Sequence, residues 1–361
     1  MQSSMSDFLP IIPNFNDGTP LFIAGPCSAE TREQVLETAK GVKEAGIPVF
    51  RAGIWKPRTM PGGFEGVGSV GLEWLKEVKD IFGLYIATEV ATAAHVREAL
   101  DNDIDIFWIG ARTSTNPFAI QEIADAIKES GKDVAVLIKN PVNPDIELWI
   151  GAIQRIYNAN IRRIGAIHRG FSVYGDHTYR NLPLWRIAHE LGRRVPGLPV
   201  ICDPSHIGGK SELIRPLSQQ AMDMGFSGLI IECHCCPERA LSDKSQQITP
   251  HDLRKLIGGL QYGRNTGASE SLDLFRHEID RLDGELLDLL NRRMQISRQI
   301  ATYKKNHRMP IVQPDRYDEI VRSRTDTGRQ MGLDTDFTRN LMATIHEESV
   351  RQQLDIYNDI D

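Results

Sequence analysis

No stretch of this sequence is long and apolar enough to lie across a bilayer. The opening residues, Met1-Gln2-Ser3-Ser4-Met5-Ser6-Asp7, lack the charged and then apolar regions of an export signal. Cysteine is scarce. The five present (Cys27, Cys202, Cys233, Cys235, Cys236) make no secreted disulfide framework, and the last three, beside His234, lack the second cysteine pair of a zinc knuckle. Neither sign of charge dominates: Lys and Arg number 42 against 48 Asp and Glu, a net charge of -6, so no global basic field draws nucleic acid. No Gly-x-Gly-x-x-Gly opens the first predicted helix, which removes the usual mark of an open dinucleotide-binding sheet. These absences point to a cytoplasmic protein without nucleic-acid or membrane partners.

What is present is a repeated unit. Short β-rich apolar runs fall at residues 21–24, 49–52, 84–87, 106–109, 134–138, 163–167, 199–202 and 228–231. Amphipathic stretches of helical length alternate with them, around 31–45, 70–81, 93–100, 119–130, 147–158, 183–191, 211–224 and 251–260. Eight such units predict a closed parallel (β/α)8 barrel rather than an open doubly wound sheet, which would not usually need eight.

In such barrels the chemistry sits where the strands end. Those ends read Gly25-Pro26-Cys27-Ser28, Arg51, Glu89, Gly110-Ala111-Arg112, Lys139-Asn140, His168-Arg169, Asp203-Pro204-Ser205-His206 and Glu232-Cys233-His234. The loop after the second strand adds Lys56-Pro57-Arg58-Thr59. Strand alternation would set Glu232 and His234 on one face, with Cys233 and Cys235 on the other. His206, Glu232 and Asp243 offer one nitrogen and two oxygen donors, a set suited to divalent Mn, Fe or Co that a thiolate from elsewhere would complete. Arg51, Lys56, Arg58, Arg112, Lys139 and Arg169 crowd positive charge onto the same rim, which is costly unless anions lie among them. Guanidinium forks match phosphate and carboxylate, so the expected substrates carry two phosphates and a carboxylate.

The strings Gly25-Pro-Cys-Ser, Arg51 with Lys56-Pro-Arg-Thr59, Ile109-Gly-Ala-Arg112, Asp203-Pro-Ser-His206, Glu232-Cys-His and Leu241-Ser-Asp243 resemble the type I 3-deoxy-D-arabino-heptulosonate-7-phosphate (DAHP) synthases. The short, octulosonate-synthase-like subgroup is the nearest match, over residues 10–262. The resemblance implies Cys27, His206, Glu232 and Asp243 as ligands of one divalent metal ion. It implies Arg51, Lys56, Ala111, Arg112, Lys139 and Arg169 around phosphoenolpyruvate, and Arg58 and Thr59 on the phosphate of erythrose 4-phosphate. Lys56 and Glu89 are the candidates for moving protons or positioning water. The related 3-deoxy-D-manno-octulosonate-8-phosphate synthases take arabinose 5-phosphate, but their corresponding loop typically reads Lys-Ala-Asn-Arg-Ser. The family's bulky N-terminal regulatory extensions have no counterpart in the residues before the first strand.

Residues 263–270 are rich in Gly, Asn and Ser and read as a flexible linker between a barrel domain (1–262) and an all-α three-helix domain (271–361). Positions 272, 275, 279, 282, 286, 289, 293, 296, 300 and 303 step by threes and fours and are apolar or aromatic except Arg293, a coiled-coil or bundle seam. Further helices are expected at 314–324 and 334–357. A lone cation in an apolar seam implies a bound anion. Lys304 follows about 16 Å along the same face, whereas Arg276 lies about 25 Å before Arg293, too far to share one small ligand unless it comes from a second copy of the chain. A homodimer through this domain is therefore expected. The segment 272–358 resembles the all-helical chorismate mutases at Arg276, Arg293, Lys304, Ser349 and Gln353. That implies an Arg pair on the two carboxylates, with Lys304 and Gln353 at the breaking ether oxygen. Gln313 stands where that family commonly has Asp, and Tyr317 where a Glu often holds the substrate hydroxyl. The fused domain is either a second catalyst, a chorismate or prephenate sensor that regulates the barrel, or a dimerisation element.

Overall fold

The computed structural model describes residues 5–13, 18–56, 62–174, 178–263, 270–312 and 314–358, side chains excepted at 270–275 and 314–316. Two compact units divide the chain, Met1–Arg264 and Asn265–Asp361. In the first, strands and helices alternate: β1 (Leu21–Gly25), α1 (Arg32–Glu44), β2 (Val49–Arg51), α2 (Val70–Phe82), β3 (Tyr85–Val90), α3 (Ala93–Asp101), β4 (Ile106–Ile109), α4 (Pro117–Ser130), β5 (Ala135–Lys139) and α5 (Ile146–Asn158). There follow β6 (Ile164–His168), α6 (Trp185–Arg194), β7 (Val200–Cys202), a short α7 (Pro204–Gly208), α8 (Ile214–Asp223), β8 (Gly228–Glu232) and α9 (Pro250–Gly259). Every neighbouring pair is parallel, and β1 closes on β8 with Leu21 opposite Gly228 and Gly25 opposite Glu232. The predicted barrel is thus observed, and the open sheet is excluded.

The period of two along each strand sorts side chains into two cores. Phe22, Phe50, Ile86, Phe107, Val136 and Leu229 face outward into the layer shared with the helices. Ile23, Val49, Ala87, Trp108, Leu137, Ile167 and Ile230 face inward and fill the barrel, with Ile11 and Ile12 of the preceding segment packed among them. One step further along the same inward faces stand Arg51, Glu89, Lys139, Arg169 and Glu232. The reactive rim is therefore the top layer of the barrel's own packing pattern. Helix starts are fixed locally, since the Thr31, Thr92, Asn116, Asp145 and Thr249 side chains each accept a first-turn N–H.

The second unit holds α10 (Glu270–Asn306), α11 (Pro314–Gln330) and α12 (Thr335–Tyr357), the last capped by Asp334, whose side chain accepts from Phe337 N. The second helix runs beyond the expected residue 324 because nothing between 324 and Gln330 breaks it before the Gly332 turn at φ +82°. Within one chain, the expected α10 seam is not the stripe that packs on the other helices. Among the described side chains of α10, Met294, Ser297 and Ala301 are buried within the unit. Ile279, Leu282, Leu286, Leu289, Ile296, Ile300 and Tyr303, one helical position away, are exposed. Among the described residues, no helix is long and apolar enough to cross a membrane.

Candidate active site

Cys27, Glu232 and Asp243 gather at the barrel mouth with their ligand atoms all within 4.8 Å of one another. Cys27 follows β1, Glu232 ends β8, and Asp243 stands in the loop after it with φ +47°, a left-handed conformation that Asp tolerates better than most residues. Cys27 Sγ lies 3.3 Å from Asp243 Oδ2. Gly25, at φ +151°, is required beneath them, because a Cβ there would run into the Arg51 carbonyl. His206, the fourth expected ligand, borders the trio without joining it: Nε2 is 3.9 Å from Glu232 Oε1, while Nδ1 lies 2.8 Å from Asp203 Oδ2. Asp203 also caps α7 by accepting from His206 N at 3.0 Å, so one carboxylate fixes both the helix start and the imidazole. His234, by contrast, does not share the Glu232 site. The strand ends at Glu232, the alternation stops with it, and His234 lies 3.6 Å from Glu30 and accepts from Cys236 N.

Surrounding groups hold this set in place. Gln246 Nε2 donates to Glu232 Oε2 at 2.6 Å, Glu232 N donates to Ser205 Oγ, and Cys27 N donates to Gln247 Oε1. Arg180 Nη1 donates to Asp243 Oδ1 at 3.0 Å and to Gln246 Oε1. Burial, followed by the Glu232 charge, pushes the Cys27 thiol up to about 11. Burial works to raise the Glu232 carboxyl too, but His206 and Arg51 outweigh it and hold it low. Asp243 behaves alike: burial raises it, while Arg180 and His206 bring it far below the usual carboxylate range. Burial lowers His206, leaving a neutral imidazole able to bind metal. Buried Glu232 Oε1 has no hydrogen-bond donor. One thiol, two ionised carboxylates and a neutral imidazole fit a divalent transition metal.

The expected cations cluster beside this set. Arg51 is almost wholly buried, with its guanidinium carbon 4.5 Å from the centre of the Trp108 ring and Nη2 3.4 Å from Glu232 Oε1. Among the described residues, its Nε and Nη1 have no acceptor. Lys56 Nζ is 3.3 Å from Cys27 Sγ, a reach that depends on Gly53, where a Cβ would collide with the lysine tip. Lys139 Nζ donates to Asp203 Oδ2 at 3.0 Å. Arg169 is fixed through its N–H on Asn140 Oδ1 and Nη1 on Asn181 Oδ1, each 2.7 Å, and burial lowers its pKa to about 10. Arg112 is one of the charges that Arg169 senses. Ala111 sits in the turn between β4 and α4, and its carbonyl accepts from Ser114 Oγ. Glu89 Oε2 accepts from Trp108 Nε1 at 3.1 Å, and a Cβ at Gly110 would meet its carboxylate. Arg58 and Thr59 lie outside the described residues. His168, next to Arg169, points the other way, buried among Trp149, Phe171, Trp185 and Phe226, which presses its pKa to about 3. Sequence reasoning gave no role to Arg180, Gln246, Gln247, Asn140 or Asn181. The only local signal was that two of them follow Asp243 and one follows Lys139.

In the second unit, Arg293 Nη1 donates to Ser349 Oγ and reaches Ile345 O at 3.5 Å. Gln353 Nε2 donates to Ser297 Oγ at 3.0 Å, while its buried Oε1 has no donor. Lys304 Nζ donates to Ile311 O. Among the described residues no carboxylate pairs with Arg293. Arg276 is exposed on the same unbroken helix, about 25 Å from Arg293 by helical rise, so it does not join this cluster within one chain. Gln313 lies outside the described residues.

A closed (β/α)8 barrel with a thiol and carboxylates that could hold a metal ion and buried cations on one rim has the architecture of the (β/α)8-barrel enzymes. More particularly, the chain belongs to the DAHP synthetase I family, whose model matches residues 12–261, and a chorismate mutase type II model matches residues 275–354. It is 35% identical over 235 residues to a phospho-2-dehydro-3-deoxyheptonate aldolase of Thermotoga maritima, covering 65% of this chain and 67% of that protein. It is 30% identical to a 2-dehydro-3-deoxyphosphooctonate aldolase of Methylococcus capsulatus, covering 62% of this chain and 82% of that protein. The crystal structure of the Thermotoga maritima DAHP synthase matches with a TM-score of 0.61 at 33% identity, over 67% of this chain and 68% of that one.

Proposed function

We propose that the barrel condenses phosphoenolpyruvate with erythrose 4-phosphate to give DAHP and inorganic phosphate. The observation carrying this reading is the juxtaposition of Arg51, whose buried Nε and Nη1 lack acceptors, with the Cys27, Glu232 and Asp243 trio. Arg51, Arg112, Lys139 and Arg169 hold the phosphate and carboxylate of phosphoenolpyruvate, and Arg58 and Thr59 the phosphate of the aldose. A divalent ion held by Cys27, Glu232, Asp243 and His206 would supply Lewis acidity toward the aldehyde oxygen. C3 of phosphoenolpyruvate forms a bond to the aldehyde carbon, water adds at C2, and phosphate departs. Clamped geometry and preset positive charge lower the barrier. Lys56, beside the ligand thiol, and Glu89, fixed by Trp108, are placed to pass protons to the new alcohol and from the attacking water.

The helical unit rearranges chorismate to prephenate as a homodimer, in which the exposed seam of α10 meets its copy and Arg276 enters the partner's site. Occupation of that site by prephenate also regulates the barrel. The experiment follows phosphoenolpyruvate consumption in a cytoplasm-like buffer with erythrose 4-phosphate or arabinose 5-phosphate, with and without prephenate. Faster use of the five-carbon sugar would transfer the assignment to octulosonate synthesis, a reading that the octonate aldolase relatives keep open. Unchanged rates with prephenate would remove the regulatory part.

A further inference from the structure

The Arg293 site has a wall that its proposed chemistry has not yet used. His346, Ser349 and Gln353 are spaced i, i+3 and i+7 on α12 and so share one face. Arg293 Nη1 bonds to both Ile345 O and Ser349 Oγ, so its guanidinium spans the turn that contains His346. From the first turn of α11, Tyr317 brings its ring centre to 4.5 Å from that of His346, with the planes tilted by 45°. Both side chains are half-buried.

The ligand poses a matching demand. Chorismate carries two carboxylates, an ether oxygen and a ring hydroxyl. Arg293 and Arg276 serve the carboxylates, and Lys304 and Gln353 the ether oxygen; guanidinium and ammonium groups have no acceptor to offer the hydroxyl proton. A neutral imidazole has one acceptor nitrogen and one donor. Burial, then the Arg293 and Lys304 charges of α10, depress the His346 pKa, against an opposing pull from Glu347 on its own helix. Among the described side chains of α11, the Tyr317 ring is the one in contact with it.

We propose that the Tyr317–His346 pair is the hydroxyl-recognition element of this site: His346 accepts the hydrogen bond of the ring hydroxyl, and Tyr317 is a positioning residue that sets the imidazole. This rests on the mutase reading above. The test compares kcat/KM for chorismate and for its analogue lacking the ring hydroxyl, using the full-length chain as wild type, His346→Leu, His346→Gln and Tyr317→Leu. Barrel activity and sedimentation serve as controls for folding. Wild type prefers chorismate by roughly tenfold, the scale of one hydrogen bond. His346→Leu erases that preference while turnover of the analogue persists, His346→Gln keeps part of it through its amide oxygen, and Tyr317→Leu reduces it. Equal losses on both compounds would mark a structural role and overturn the proposal, as would an unchanged preference in His346→Leu. A wild-type chain that neither binds nor converts chorismate would fail the mutase reading itself, visibly before any variant is made.

Discussion

Each proposed metal ligand at the barrel mouth is held by a second residue, and the effects of changing those residues separate packing from metal chemistry. Gln246 links Glu232 to Arg180, which in turn holds Asp243. Gln246→Ala should leave the fold intact and weaken metal affinity by about 10- to 100-fold, the usual cost of removing a group that orients a ligand. A competitive chelator titration measures it. The thiol adds a pH dependence of definite sign. Because burial and Glu232 raise Cys27 to about 11, it is protonated at neutral pH and an incoming ion must displace that proton. His206, already neutral, releases none. Affinity should therefore climb about tenfold per pH unit between pH 6 and 8. Calorimetry in buffers of different ionisation enthalpy should find one proton released per ion, and zero protons would mean that the thiol is not a ligand.

Secondary-structure elements explain what could be seen in advance. The barrel was legible because eight apolar runs alternate with amphipathic ones, and the rim was legible because the inward alternation that buries Val49, Leu137 and Ile230 ends in Arg51, Lys139 and Glu232. What stayed hidden depends on tertiary approach. Arg180 reaches Asp243 across 63 positions of sequence, and His234 leaves the Glu232 face because the strand stops two residues before it. The α10 seam was legible as a pattern, but its partner was not. The monomer buries the neighbouring stripe of Met294, Ser297 and Ala301 against α12, leaving Leu286 half exposed. Leu286→Asp should thus cost little stability within one chain, convert the proposed dimer to monomers in sedimentation velocity, and abolish the proposed chorismate turnover while barrel activity persists. A dimer that survives this change would place the contact elsewhere.

At the scale of the whole molecule, two compact units share one chain, and each gathers cations into one cluster. In the barrel these are Arg51, Lys56, Lys139 and Arg169 around a thiol and two carboxylates; in the helical unit, Arg293 and Lys304 beside neutral acceptors. The shared logic is positive charge kept in place by a rigid frame where anionic ligands are proposed to bind. The barrel adds a donor set suited to a cation, and in the proposed reaction the chemistry depends on that ion being held by Cys27. The most direct test titrates chelator-treated wild-type protein and Cys27→Ser with Mn2+ while following phosphoenolpyruvate consumption with erythrose 4-phosphate. Wild type should regain activity in step with one bound ion per chain, and Cys27→Ser should bind weakly and stay inactive at the same ion concentration. Full activity in the chelated wild-type protein, or an undiminished metal response in Cys27→Ser, would contradict the account.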